Sequence, residues 1–158
     1  MAGFSDYFEK GIIRWLFKTN KDGSAATALA STGPADLYVS LHSADPSDTG
    51  ASELSGNNYA RVHMAKDADD SSGNAVNWNV SAASGSAWGV TNKVAVTFNV
   101  ATTADWNGGA AIKWCGLWDA STSGNFLMAG TVNGSTGVVV SVGVTLSFAA
   151  GQLAFTAD

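Results

Sequence analysis

Two histidines, one cysteine and a handful of carboxylates are the residues of this 158-residue chain that could carry out chemistry. His42 and His63 fall on what read as adjacent strands, one over Leu37 to His42 and one beginning near Asn58, so their imidazoles could approach across the pair. Nucleophilic or base catalysis would also need a Ser or Cys in a defined setting, and the chain has no Gly-x-Ser-x-Gly elbow, no His-Glu-x-x-His helix and no Gly-rich phosphate loop. Asp48 and Glu53 are of the types found in a glycosidase pair, but they sit in a loop dominated by Ser and Gly, without the apolar pocket that would raise one carboxyl's pKa. Cys115 has no second cysteine to pair with, and between Trp114 and Gly116 in a strand-like run it reads as a small buried hydrophobe.

Asp67, Asp69 and Asp70 could offer hard oxygen ligands to calcium, but the run lacks the glycine and terminal glutamate of a hand-type loop and reads as solvated. No Cys or His pair has metal-ligand spacing. No catalytic residue, cofactor or metal is therefore expected. Trp78, Trp88 and Trp106 could stack on sugar rings if exposed, which keeps a glycan-binding reading open, although no cluster of Asp, Asn and Arg marks a sugar pocket around them.

The elements that would position these residues are mostly strands. Leu37, Val39 and Leu41 alternate with polar partners, and Ala44-Asp45-Pro46-Ser47-Asp48-Thr49-Gly50 then turns the chain. On the strand from Asn58, Tyr59, Arg61 and His63 share one face and Ala60, Val62 and Met64 the other. Shorter strands are expected over Ala75 to Val80 and Ala87 to Val90, and a clearer one over Lys93 to Val100, where Val94, Val96, Phe98 and Val100 alternate. After the turn Asp105 to Gly109, the strand Ala110 to Asp119 puts Ile112, Trp114, Gly116 and Trp118 opposite Ala111, Lys113, Cys115 and Leu117. Thr122-Ser123-Gly124 makes a hairpin into Asn125 to Asn133, Gly134 to Gly137 turns again, and Val138 to Ala149 and Leu153 to Thr156 complete the sheet. The spacing of turn signals predicts a mainly β domain over residues 34–158, an antiparallel sandwich or jelly-roll-like fold.

The one strong helical pattern comes first. Over residues 1–19, Phe4, Phe8, Ile12, Trp15 and Leu16 recur at three- and four-residue steps, with Ser5 or Asp6 as cap, which predicts an amphipathic N-terminal helix. Residues 20–33 have no apolar periodicity and read as a linker. The helix either covers an open end of the β core or serves as an arm for a partner, and its apolar stripe is the expected protein interface.

Only 13% of the residues are charged and the net charge is -5 with eight Lys and Arg, so there is no basic footprint for nucleic acid. No apolar run reaches membrane-spanning length, and the start of the chain lacks the pattern of a secretory signal. A surface so poor in charge suits an assembly.

Three segments carry a family resemblance. Leu37 to Arg61, reading LYVSLHSADPSDTGASELSGNNYAR, resembles the N-terminal signature of small tailed-bacteriophage virion proteins often labelled tail-fibre-like. In that signature a strand ending in an Ala-Asp-Pro turn precedes a Glu-Val-Ser-Gly-Gly-x-Tyr-Ala-Arg segment. Gly116 to Leu127 resembles the family's Gly-Ile-Phe-Asp-Ala hairpin, and Leu146 to Leu153 its ending. The match is weak at Asn20 to Gly33 and at Lys66 to Asn92. The resemblance implies a non-enzymatic structural protein of the virion, assembled in the host cytoplasm, with no catalytic residues to carry over. A compact domain with one arm and no heptads or repeats is expected to be a head decoration (cement) protein bound to the major capsid protein. The alternative is a tail-fibre or tail-tip subunit among tail proteins, with host-surface glycan binding as a possible addition. Either role predicts a homo-oligomer, a trimer being favoured, and no nucleic-acid or membrane partner.

Overall fold

The computed structural model describes residues 36–65, 77–82 and 88–157. The expected helix with Phe4, Phe8, Ile12, Trp15 and Leu16, the linker 20–33 and the acidic run Asp67 to Asp70 lie outside those residues. Within them the chain forms nine strands, all paired antiparallel: β1 (Asp36–His42), β2 (Val62–Ala65), β3 (Trp78–Ala82), β4 (Trp88–Asn92), β5 (Val96–Val100), β6 (Trp114–Trp118), β7 (Phe126–Thr131), β8 (Thr145–Phe148) and β9 (Ala154–Ala157). They make three sheets, ordered β2-β1-β6-β7, β3-β4-β9 and β5-β8. The mainly β, antiparallel class is the one that the spacing of turn signals implied.

One apolar cluster draws on all three sheets, with Val39, Leu41, Cys115 and Leu117 from the first, Trp78 and Phe155 from the second, and Val96, Phe98 and Phe148 from the third. Phe98 lies at its centre, edge-on to Trp106 at 6.2 Å and to Phe148 at 6.3 Å between ring centroids. These are favourable aromatic geometries. Asn92, wholly buried at the end of β4, joins the second sheet to the third. Its side-chain amide donates to the carbonyls of Val94 (2.8 Å) and Ala149 (2.9 Å), and its oxygen accepts from the Leu153 N–H (2.9 Å). A buried amide persists only when it is satisfied in this way.

Several expected boundaries move, each for a local reason. The second strand starts at Val62 and not near Asn58, because Asn57 and Asn58 adopt left-handed φ of 50° and 66° and keep the chain in a turn. The expected run Val138 to Ala149 is strand only over Thr145–Phe148, with an isolated bridge at Val138. Between them Gly143 has φ 80°, and the Asp105 carboxylate takes the Val142 N–H at 2.8 Å, so the backbone leaves the ladder. On β5 the alternation holds for Val96 and Phe98, which are buried, whereas Val94 and Val100 are exposed.

β6 sits between β1 and β7 and is covered on both faces. Cys115 and Leu117 enter the main core, while Trp118 joins Phe126, Ala129 and Tyr38 in a second cluster on the opposite face. Gly116 makes this second cluster possible. A methyl there would stand 2.6 Å from both the Phe126 ring and the Ser40 hydroxyl and 2.7 Å from His42 Nε2. Gly116→Ala is expected to lower stability by about 1 to 3 kcal/mol, read as a reduced chemical-denaturation midpoint without loss of strand content by circular dichroism.

Candidate functional site

The residues that the sequence marked for chemistry converge where β1, the loop after it and the β6–β7 hairpin meet. β1 delivers Ser40 and His42 to the face opposite Val39 and Leu41. The loop 43–53 returns along the end of β1, held by Ser43 N–H to Ser52 O (2.9 Å), Ala51 N–H to Pro46 O (3.0 Å) and Leu54 N–H to Leu41 O (2.9 Å). Asp45 Oδ1 accepts the Ser47 N–H at 2.9 Å, a side-chain turn of the kind Asp-Pro sequences favour. Glu53 is thereby placed opposite His42.

Arg61 then closes the site. Its Nε and Nη2 donate to Glu53 Oε1 (2.8 Å) and Oε2 (2.7 Å), a two-pronged ion pair. Its Nη1 donates to the carbonyls of Ala120 (2.8 Å) and Ser123 (2.7 Å) in the β6–β7 hairpin. The guanidinium lies 3.7 Å from the centroid of the Trp118 ring, a cation–π contact strengthened by exclusion of water. The Arg61 side chain is 6% exposed. Tyr59 adds a further tie, since its hydroxyl accepts the Leu41 N–H at 2.9 Å and donates to Glu53 Oε1 at 3.2 Å. Burial pushes this phenol's pKa well above the ordinary tyrosine value.

Beneath the ion pair runs a chain of neutral hydrogen bonds whose directions follow from the groups themselves. The indole N–H of Trp118 can only donate, and it donates to Ser40 Oγ at 2.9 Å. The Ala51 carbonyl can only accept, so His42 Nδ1 carries a proton and donates to it at 2.7 Å. In the neutral ring Nε2 is then the acceptor for the Ser40 hydroxyl, at 2.7 Å. Burial lowers the His42 pKa, and Arg61 acts in the same direction, while the Ala51 hydrogen bond and Glu53 oppose it.

A serine hydroxyl on an imidazole is the first half of a nucleophile–base pair. Here both residues are fully buried, with the Ser40 oxygen occupied by Trp118 and the Phe126 ring packed edge-on to His42 at 5.9 Å. The second ring nitrogen faces a backbone carbonyl and not a carboxylate. The arrangement orients the loop and gives a substrate no approach to the hydroxyl. Cys115 is buried as expected, with its thiol pKa pushed up to about 12 by desolvation.

The two histidines are not brought together. Register pairs His63 with Tyr38, and His63 binds Asp36 at 2.8 Å on the exposed edge, whereas His42 stands opposite Trp114. Glu53, one member of the imagined glycosidase pair, has both oxygens occupied by Arg61 and Tyr59, while Asp48 stays in the exposed loop. Trp78 and Trp106 are 5% and 2% exposed, so neither offers a face to a sugar. Trp106 is anchored further by donating its indole N–H to Asn57 O at 3.0 Å. The side chain of Trp88 lies outside what is described. A groove of about 340 Å³ does open over Glu53, Gly56, Tyr59, Arg61 and Ser121 to Ser123, but the two ionic groups lining it neutralise each other.

Sequence reading singled out Glu53 and Arg61 without pairing them and missed Ser40 and Trp118. The available signal was two polar residues, Ser40 and His42, on the same face of a strand whose other face is apolar, together with a Trp in the second matching segment. The hairpin of that segment is pinned by Asp119, which accepts the Asn125 N–H at 2.6 Å and its side-chain amide at 2.7 Å.

These contacts define an antiparallel β domain in which a buried ion pair locks two distant segments together. A family model described as podophage GP4 fiber I protein gp80 matches residues 3–156, and the chain belongs to that family. It is therefore a phage virion component of fibre type, as the expected virion family implied at that level. The description names a fibre and lends no support to capsid decoration, so the tail-fibre alternative stands ahead of the decoration role. No curated protein matches the chain.

Two outcomes test the clamp. Arg61→Ala should cost about 3 to 5 kcal/mol by urea unfolding, since it leaves Glu53 partly buried and unpaired, and Arg61→Lys should recover only part, lacking the planar fork. The folded-state pKa of His42 is below its unfolded value near 6.5, so its contribution to stability is complete above pH 6.5 and is lost as pH falls from there through the folded pKa. His42→Gln should flatten the pH dependence of the unfolding midpoint just below pH 6.5 relative to the parent chain.

Proposed function

We propose that this chain is a non-enzymatic structural subunit of a podophage tail fibre, assembled with other tail proteins in the infected cell. The match of residues 3–156 to a fibre family is the observation that carries this reading. The fate of the reactive side chains supports it. Ser40 and His42 are used up within the loop clamp, Cys115 is sealed in the core, and Glu53 is held by Arg61. A groove floored by a neutralised ion pair has no unopposed charge to direct toward a substrate.

The clamp also suits a fibre mechanically. It ties the loop after β1 to the β6–β7 hairpin through the mostly buried Arg61 guanidinium, so local opening requires breaking several charge-assisted bonds at once.

Immunogold labelling of intact particles with antibody raised against residues 36–157 should place the label on the tail apparatus. Label on the head shell, with none on the tail, would overturn the fibre assignment and restore the decoration role.

A further inference from the structure

The chain contains two Asn-Gly pairs, Asn107-Gly108 and Asn133-Gly134. Backbone geometry accounts for both. Asn107 and Asn133 have φ of 53° and 50°, and the glycines that follow have 59° and 60°. Two successive positive φ values make a type I′ turn, which Asn-Gly forms at the least steric cost. The same dipeptide is also the one in which the backbone can most readily attack a side chain. With no Cβ on the following residue, that residue's N–H can reach the asparagine Cγ, whereas every other asparagine here precedes a residue that carries a side chain.

The two pairs are held differently. Asn107 is half-buried beside Trp106, itself only 2% exposed, and its side-chain amide donates to the carbonyls of Ala110 and Ala111, both at 3.4 Å. Asn133 and the three residues after it are exposed. Among the described residues neither the Asn133 side chain nor the Gly134 N–H has a hydrogen-bond partner, and a Cβ on Gly134 would meet nothing within 4 Å. The turn is held by Ser135 N–H to Val132 O and Thr136 N–H to Asn133 O, each 3.1 Å. Backbone bonds this exposed open at low cost, which frees Asn133 to bring its Cγ onto the Gly134 nitrogen.

We propose that Asn133 is a self-modification site that loses its side-chain amide through a succinimide and becomes aspartate or isoaspartate. The Gly134 nitrogen bonds to Asn133 Cγ and gives up its proton, and the side-chain nitrogen leaves as ammonia. Water then opens the five-membered ring. Addition at Cγ breaks the new bond and leaves aspartate, while addition at the main-chain carbonyl breaks the original peptide bond and leaves isoaspartate. Nothing is oxidised or reduced, and water is the only co-reactant.

The product changes the surface in two ways. Ala120 to Ala157 has no Asp, Glu, Lys, Arg or His, so the new carboxylate is the first ionised side chain of that run and makes the chain one unit more negative than -5. It stands on a groove of about 520 Å³ lined by Asn133, Gly134, Val138, Leu146, Phe148 and Gln152. The isoaspartate form also lengthens the main chain by a methylene, inside a turn where the N–H groups of Ser135 and Gly137 both reach Val132 O at 3.1 Å. The site is a property of the turn and does not rest on the chain's place in the particle.

Holding the full purified chain at mildly alkaline pH and sampling it over days tests the proposal. Trypsin cuts after Lys93 and Lys113 and nowhere between or beyond them, so Asn107 and Asn133 fall in separate peptides, 94–113 and 114–158. Peptide 114–158 should gain about one dalton, localised to Asn133 by fragmentation, and should accept a methyl group from an isoaspartate-specific methyltransferase. Asn133→Gln, which would need a larger ring, should abolish the change at that position. Conversion of Asn133 should outrun that of Asn107 about fivefold or more in the folded chain, and the two rates should converge in urea, where the bonds of Asn107 are lost. Equal rates in the folded chain would overturn the proposal, as would an Asn133 that keeps its amide when folded and loses it in urea. A difference that persists unchanged in urea would come from the flanking residues and would refute the structural argument.

Discussion

The ion pair between Arg61 and Glu53 is the constraint on which the arrangement of this domain depends. Each partner belongs to the segment between β1 and β2, yet the guanidinium reaches across to two carbonyls of the β6–β7 hairpin and lies over Trp118. Removing two charges from water is costly, and the cost is offset here only because nearly every donor of the guanidinium and both carboxylate oxygens have partners at 2.7 to 3.2 Å. Arginine can do this where lysine cannot, since its planar fork meets the carboxylate and the carbonyls at once.

The neutral relay under the ion pair depends on the same burial. Trp118, Ser40, His42 and the Ala51 carbonyl form a chain in which every donor has one acceptor, and the direction of each bond fixes the imidazole in its neutral Nδ1–H form. Gly116 makes room for it, because any side chain on the central strand would displace the groups of this relay. The segments Leu37 to Arg61 and Gly116 to Leu127 thus turn out to be two halves of one packing unit.

Much of the fold could be read from the chain, and its failures have physical causes. Alternation located β1, β5 and β6 because strands with an apolar face announce themselves at period two. It could not reveal that β1 and β6 are covered on both faces, since Ser40, His42 and Gly116 look like solvent-facing positions until Trp118 is placed over them. The run Val138 to Ala149 has strand composition but not strand geometry, because Gly143 and the Asp105 bond redirect it. At the site, Glu53 and Arg61 were visible as members of a signature, but their pairing depends on the return of loop 43–53 along β1, which no local pattern encodes. The tryptophans illustrate the same limit. Trp78 and Trp106 would serve as sugar platforms only if exposed, and tertiary packing buries them.

The joining of the two segments into one energetic unit is open to direct measurement by a double-mutant cycle on Arg61→Met and Trp118→Leu, with unfolding free energies taken from urea titration. Residues in contact through a shared network couple by about 0.5 to 3 kcal/mol, and a coupling of about 1 kcal/mol or more is expected here. Losses that add within about 0.3 kcal/mol, as for distant and independent sites, would contradict the clamp.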